Sequence, residues 1–67
     1  MPVGTIDRIN PRGFGFIKPF DSGPDVMFHF AALIDMQLTE SVGRQVRYTV
    51  IETAKGTGLQ AWHVWPE

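Results

Sequence analysis

The stretch Arg12-Gly13-Phe14-Gly15-Phe16-Ile17 restricts the folds open to this chain more than any other. Drawn as a strand it alternates, so Phe14 and Phe16 share one face while Gly13, Gly15 and Ile17 share the other. A half-buried strand should turn its large apolar side chains to the core. Here the face opposite the rings is mostly glycine, which packs little and weakens a strand. Two arrangements satisfy the pattern. In one, both rings enter the core and the glycines mark a tight bend. In the other, both rings face outward, Ile17 anchors the strand, Gly15 lets the sheet curl beneath, and the rings form a platform on which planar bases stack.

The remaining residues narrow the choice of fold. Sixty-seven residues suffice for one domain, 1–67, with one modest core. No cysteine is present, which removes disulfides and zinc–thiolate sites and suits a reducing compartment. No basic segment leads into an apolar run at the N-terminus, and no apolar stretch approaches membrane-spanning length, so a cytoplasmic protein without membrane contact is expected. Six Lys and Arg against seven Asp and Glu give a net charge of -1, which argues against a grip on phosphates by bulk positive charge. Nucleic-acid binding would then rest on stacking and a few placed cations.

Residues Val3 to Asn10 read as a first strand, with Ile6, Val3 and Ile9 as its inward candidates and Thr5 and Asp7 outward. A Pro11-Arg12-Gly13 turn feeds a second strand, Gly13 to Lys18, in an antiparallel hairpin. The turn cluster Phe20 to Pro24 follows, with Asp21 and Asp25 read as turn residues. A third strand, Asp25 to His29, places Val26 and Phe28 inward and puts Met27 and His29 on the face of Phe14 and Phe16. Ala31 to Ile34 fits one helical turn, and a loop holding Met36 and Leu38 runs to Gly43. A fourth strand, Arg44 to Glu52, turns Val46, Tyr48 and Val50 inward. After a turn from Thr53 to Gly58, the last strand spans Leu59 to Trp65. Trp62 and Trp65 are read as sharing a face, with His63 and Val64 on the other. They are expected to cover the barrel end in preference to forming a partner-facing patch. Five short strands joined by turns suit an all-β, five-stranded antiparallel Greek-key barrel of the OB type.

Arg12 to Phe16 match at every position an RNA-binding signature of a basic residue, Gly, an aromatic, Gly or Ala and Phe, and Ile17 stands for its valine. Asp25-Val26-Met27-Phe28-His29-Phe30 resembles the second ribonucleoprotein motif of cold-shock domains, V-F-V-H-F, and Gln60-Ala61-Trp62-His63-Val64 resembles their closing Q-A-x-N-V. In RNA-recognition-motif domains the two motifs come in the opposite order, with helices between the strands. The chain therefore resembles a bacterial-type cold-shock domain from Gly4 to Val64. The resemblance implies that Phe14 and Phe16 face outward and that the partner is single-stranded RNA or DNA, held by stacking. The work implied is that of an RNA chaperone or a regulator of gene expression.

On that reading Phe14 and Phe16 stack bases, and His29 stacks and hydrogen-bonds a base edge. The parity of Phe30 would bury it, but the resemblance sets it on the binding surface at the strand end. Three of the family's usual rings are replaced. Asp7-Arg8-Ile9-Asn10 stands where the family usually reads K-W-F-N, so Arg8 takes the place of a tryptophan. It either lays its guanidinium plane on a base, meets a phosphate, or is a solvated surface residue. Met27 replaces a phenylalanine with a softer contact, and Leu38 replaces the loop aromatic. Arg12, Lys18 and Lys55 are candidate phosphate contacts or ordinary surface cations. These departures suggest weaker or less base-selective binding than is usual for the family. The alternative is an OB-fold protein-interaction module that uses Trp62, Trp65 or the Met36 loop. Nothing marks an enzyme: no nucleophile–base arrangement, phosphate-binding glycine loop or carboxylate pair is recognisable. No cofactor, metal or small-molecule substrate is expected, and the chain is read as a monomer or weak homodimer.

Overall fold

The computed structural model describes residues 2–53 and 58–67. Five strands, β1 (Val3–Asn10), β2 (Phe14–Pro19), β3 (Val26–His29), β4 (Gln45–Glu52) and β5 (Leu59–Pro66), close into a barrel in the order β1-β2-β3-β5-β4. β1, β2 and β3 form a meander. β4 returns to the far side of β1, and β5 fills the gap between β4 and β3. The expected five-stranded Greek-key barrel is therefore present, with one refinement. β3 and β5 run in the same direction, so the ladder that closes the barrel, Met27↔Gln60 and Phe28↔Ala61, is parallel while the other four are antiparallel.

The core is the set of inward positions of these strands: Ile6, Ile17, Val26, Phe28, Val46, Tyr48, Ala61 and Val64. Two positions depart from strict alternation, and in both a bulge is the cause. In β1, Ile6 faces Ile17 but Arg8 faces Phe16, so Asp7 has no counterpart across the ladder. The extra residue shifts the parity, which lets Ile6 and Ile9, three residues apart, both turn to the core while Asp7 and Arg8 are both exposed. Between β4 and β5, Thr49 faces His63 but Val50 faces Ala61, which leaves Trp62 as the extra residue. Val50, expected inside, keeps the parity of Tyr48 and faces the buried Ala61, yet it is partly exposed. Thr49 holds the bulge closed, its hydroxyl accepting the His63 backbone N–H at 3.2 Å.

The turns are satisfied locally. Asn10 Oδ1 accepts the Arg12 backbone N–H and the Asn10 carbonyl accepts that of Gly13, which takes φ +108°. In the second turn Asp21 Oδ1 accepts the Gly23 N–H, the turn role expected of it, whereas Asp25 reaches across to Arg8. The long connection contains two short 3-10 turns, Phe30–Ala32 and Leu38–Glu40. The buried Ser41 donates its hydroxyl hydrogen to the Leu38 carbonyl at 2.7 Å.

Gly15 sits between two fixed groups. A β-carbon there would lie 2.6 Å from Phe28 Cζ and 2.9 Å from the Arg8 carbonyl oxygen. Gly15→Ala is expected to lower stability by about 1–3 kcal/mol, the usual cost of overpacking, read as a shift of the urea midpoint without a change in slope. Burial pushes the Tyr48 phenol up, and the Asp21 carboxylate adds to the shift. A raised phenol pKa favours the neutral form in the folded barrel. The stability it contributes is complete below about pH 10, the unfolded value, and is lost as the pH rises through the folded one. Tyr48 is the single tyrosine. Its tyrosinate absorbance should therefore develop above pH 10 and together with the loss of barrel structure.

Candidate nucleic-acid interface

With Ile17 and the space beneath Gly15 given to the core, Phe14, Phe16 and Lys18 fall on the outer face of β2. The ladder to β3 sets His29 opposite Phe14 and Met27 opposite Phe16, so the side chains expected to share a face do share it. Both phenylalanines are half-buried and neither is sealed in the core. Their centroids are 6.0 Å apart with planes at 79°, an edge-to-face pair that leaves ring surface to solvent.

Gly13, buried in the turn before β2, places Phe30 near this row. The Phe30 backbone N–H donates to the Gly13 carbonyl at 2.8 Å, and the Phe30 ring lies over Gly13, Cδ1 being 3.0 Å from where a β-carbon would stand. Phe30 begins the 3-10 turn after β3, which releases it from the parity that would have buried it, and it is 53% exposed. Its ring lies 4.6 Å from that of His29 at a tilt of 36°. His29 Nδ1 accepts the Ala31 backbone N–H at 3.2 Å. The lone pair used there belongs to an unprotonated nitrogen, so the neutral ring carries its hydrogen on Nε2, as a donor.

Arg8 faces Phe16 across β1 and β2 because of the bulge at Asp7. Its guanidinium carbon lies 4.1 Å from the Phe16 ring centroid. The same nitrogen pairs with Asp7 at 3.1 Å and Asp25 at 3.2 Å. Hydrogen bonding to Asp25, ahead of Asp7, raises the guanidinium pKa still further, so the group is charged at every working pH. One face of Phe16 is thus covered by a planar cation whose own outer face is open. Exposed ion pairs of this kind contribute little to stability.

The other candidates divide. Lys18 ends the Phe14–Phe16 row and is exposed, and Arg12 is exposed in the hairpin turn at the opposite end of β2. Leu38, expected to stand in for a loop aromatic, is half-buried and packs against the core, where an aliphatic chain gains more than it does in water. Lys55 lies outside the described residues.

One aromatic group was misassigned from alternation. Trp62 and Trp65 both face outward as expected, but the bulge brings His63 out with them and leaves Val64 buried alone. The rings follow one another, Trp62 to His63 at 6.3 Å and His63 to Trp65 at 5.6 Å. Trp62 is 56% exposed and so does not cover the barrel end. Ala61 and Val64, small or β-branched residues three apart in one strand, were the available signal for the bulge.

The sequence profile of the 'Cold-shock' DNA-binding domain fits residues 3–67. The chain belongs to the cold-shock domain family. It is similar to a probable cold shock protein, y4cH, of Sinorhizobium fredii, at 33% identity over 91% of each chain. It is also similar to the cold shock-like protein CspJ of Salmonella typhimurium, at 36% identity over 81% of this chain and 80% of the relative. The cold shock-like protein CspB of Escherichia coli is 41% identical over 67% of this chain and 65% of the relative. Cold-shock domain proteins are nucleic-acid binders rather than enzymes. Among the described residues of this cold-shock domain, no three His, Cys, Asp or Glu side chains are grouped to hold a metal ion. No helix among them is long and apolar enough to cross a membrane.

Proposed function

We propose that this protein, working in the cytoplasm as a single cold-shock domain over residues 1–67, holds single-stranded RNA or DNA by stacking bases on the outer face of β2 and β3. It would act as an RNA chaperone or a regulator of gene expression. The observation that carries this reading is the pairing Phe14↔His29 and Phe16↔Met27 on the outer face, with both rings half-open to solvent. An exposed aromatic pair is costly in a small soluble protein, and a base laid on it recovers that cost for any sequence, since every base has a π-face. His29 and Phe30 continue the surface, and the Nε2–H of His29 supplies a donor to a base edge. Met27 adds a deformable apolar contact beside Phe16.

Arg8 serves as a layer of this stack. Its guanidinium already lies on Phe16, and Asp7 and Asp25 satisfy donors in its plane, so its free face is available to a base while most of its charge is answered. Arg12 and Lys18 then supply the phosphate contacts at the edge of the platform. A strand held this way is kept unpaired without energy input, and duplexes, whose bases are already stacked on one another, are bound poorly.

Replacing Phe14 or Phe16 with alanine is expected to weaken binding of heptathymidine roughly 5- to 150-fold each, about 1–3 kcal/mol per stacked base, while thermal unfolding remains cooperative. Unchanged affinity in the double variant would overturn the assignment. With one or two phosphates neutralised, log K should fall with log salt at a slope of only about -1, and a steep slope would mean that the backbone carries the binding. For Arg8, lysine and alanine separate two mechanisms: both substitutions should weaken binding several-fold if the guanidinium plane stacks. Full affinity in Arg8→Lys would instead assign it to a phosphate.

A further inference from the structure

The parallel ladder that closes the barrel carries the platform one strand further. Phe28 faces Ala61, so His29 and Trp62 are the next residues along β3 and β5, both on the outer side. Phe14, His29 and Trp62 thereby lie on three adjacent strands, in one row across the sheet. Between the last two, a groove of about 420 Å³ runs along the surface, bounded by His29, Ala31 and Ala32 on one side and Gln60, Trp62 and His63 on the other. That volume is within the range of roughly 300–1,000 Å³ usual for small-ligand sites.

The groove has the makings of a base site. The small side chains of Ala31, Ala32 and Ala61 and the Trp62 indole give it an apolar lining. Among the described residues that line it none is acidic, in contrast to the Arg8 end of the platform, where Asp7 and Asp25 stand. The indole is 56% exposed and is held from behind by the edge-to-face contact with His63. The bulge locked by Thr49 is what brings His63 out beside it. Gln60 and His63 bring hydrogen-bonding groups to the rim, suited to the edge of a flat, uncharged heterocycle.

We propose that this groove is an additional base-binding subsite, in which a nucleobase of the strand held on Phe14 and His29 stacks on Trp62. It rests on the platform reading above and extends it by one strand. It also supplies, on β5, an aromatic ring to a surface where Arg8 and Met27 stand in place of rings on β1 and β3.

The test uses Trp65→Phe, which leaves Trp62 as the single tryptophan of the two in the chain. Titration with heptathymidine should quench Trp62 emission with the same midpoint as binding followed by anisotropy of a labelled strand. Trp62→Ala should weaken that binding roughly 5- to 150-fold, and Trp62→Phe, which keeps a ring, should retain most of it. Binding that saturates with Trp62 emission unchanged and with full affinity in Trp62→Ala overturns the subsite. Sensitivity to Phe14→Ala under those conditions leaves the platform standing. No binding by the unaltered protein overturns both. A concentration-dependent self-association abolished by Trp62→Ala, with oligonucleotide affinity intact, would assign the indole to contact between copies and likewise overturn the proposal.

Discussion

Phe28 enters the barrel directly beneath Gly15, its ring atoms 2.6 and 2.8 Å from where a β-carbon at that position would stand. No larger residue leaves room for a fully buried benzyl ring at the centre of so small a core. The rest of β2 follows from that contact. With Gly15 and Ile17 assigned to the inside, alternation leaves Phe14 and Phe16 no place but the outer face. The mixture of rings and glycines in one strand is thus two packing solutions superposed, since the core ring is supplied by β3 and β2 is free to carry its own rings outside. Gly13 likewise yields its space to a ring, that of Phe30.

The two bulges adjust this scheme where a regular barrel would bring the wrong side chains out. Each inserts one residue between inward positions that would otherwise be two or four apart, and each exposes two consecutive side chains. Asp7 and Arg8 come out beside Phe16, and Trp62 and His63 come out beyond His29. The outer surface of β1, β2, β3 and β5 is therefore furnished from positions spread from residue 7 to residue 63, although only the middle of it lies in recognisable motifs.

Much of this was legible before any coordinates. Strand boundaries, the inward set Ile6, Val26, Phe28, Val46 and Tyr48, and the shared face of Phe14, Phe16, Met27 and His29 follow from period-two alternation over short strands. Alternation alone left the direction of Phe14 and Phe16 open, because it does not say which face of a strand meets the core; likeness to the cold-shock pattern supplied that. Parity also failed wherever a residue was inserted. His63, grouped with Val64 by alternation, stands outside with Trp62 because a bulge depends on a partner strand far away in sequence, here Thr49 against β5. Leu38 was read as a surface substitute since its loop has no period to fix its direction. The parallel sense of the closing ladder is a property of strand order in space, which no single strand encodes.

Arg8 bears on how this surface could be altered. Its side chain is at once a cover for Phe16 and the bridge between two carboxylates, Asp7 in β1 and Asp25 just before β3. A tryptophan introduced there would add a ring beside Phe16, yet it would also remove the cation that pairs with Asp7 and Asp25. Aromatic surface and charge bridging are thus tied together at position 8, and one cannot be gained there without giving up the other.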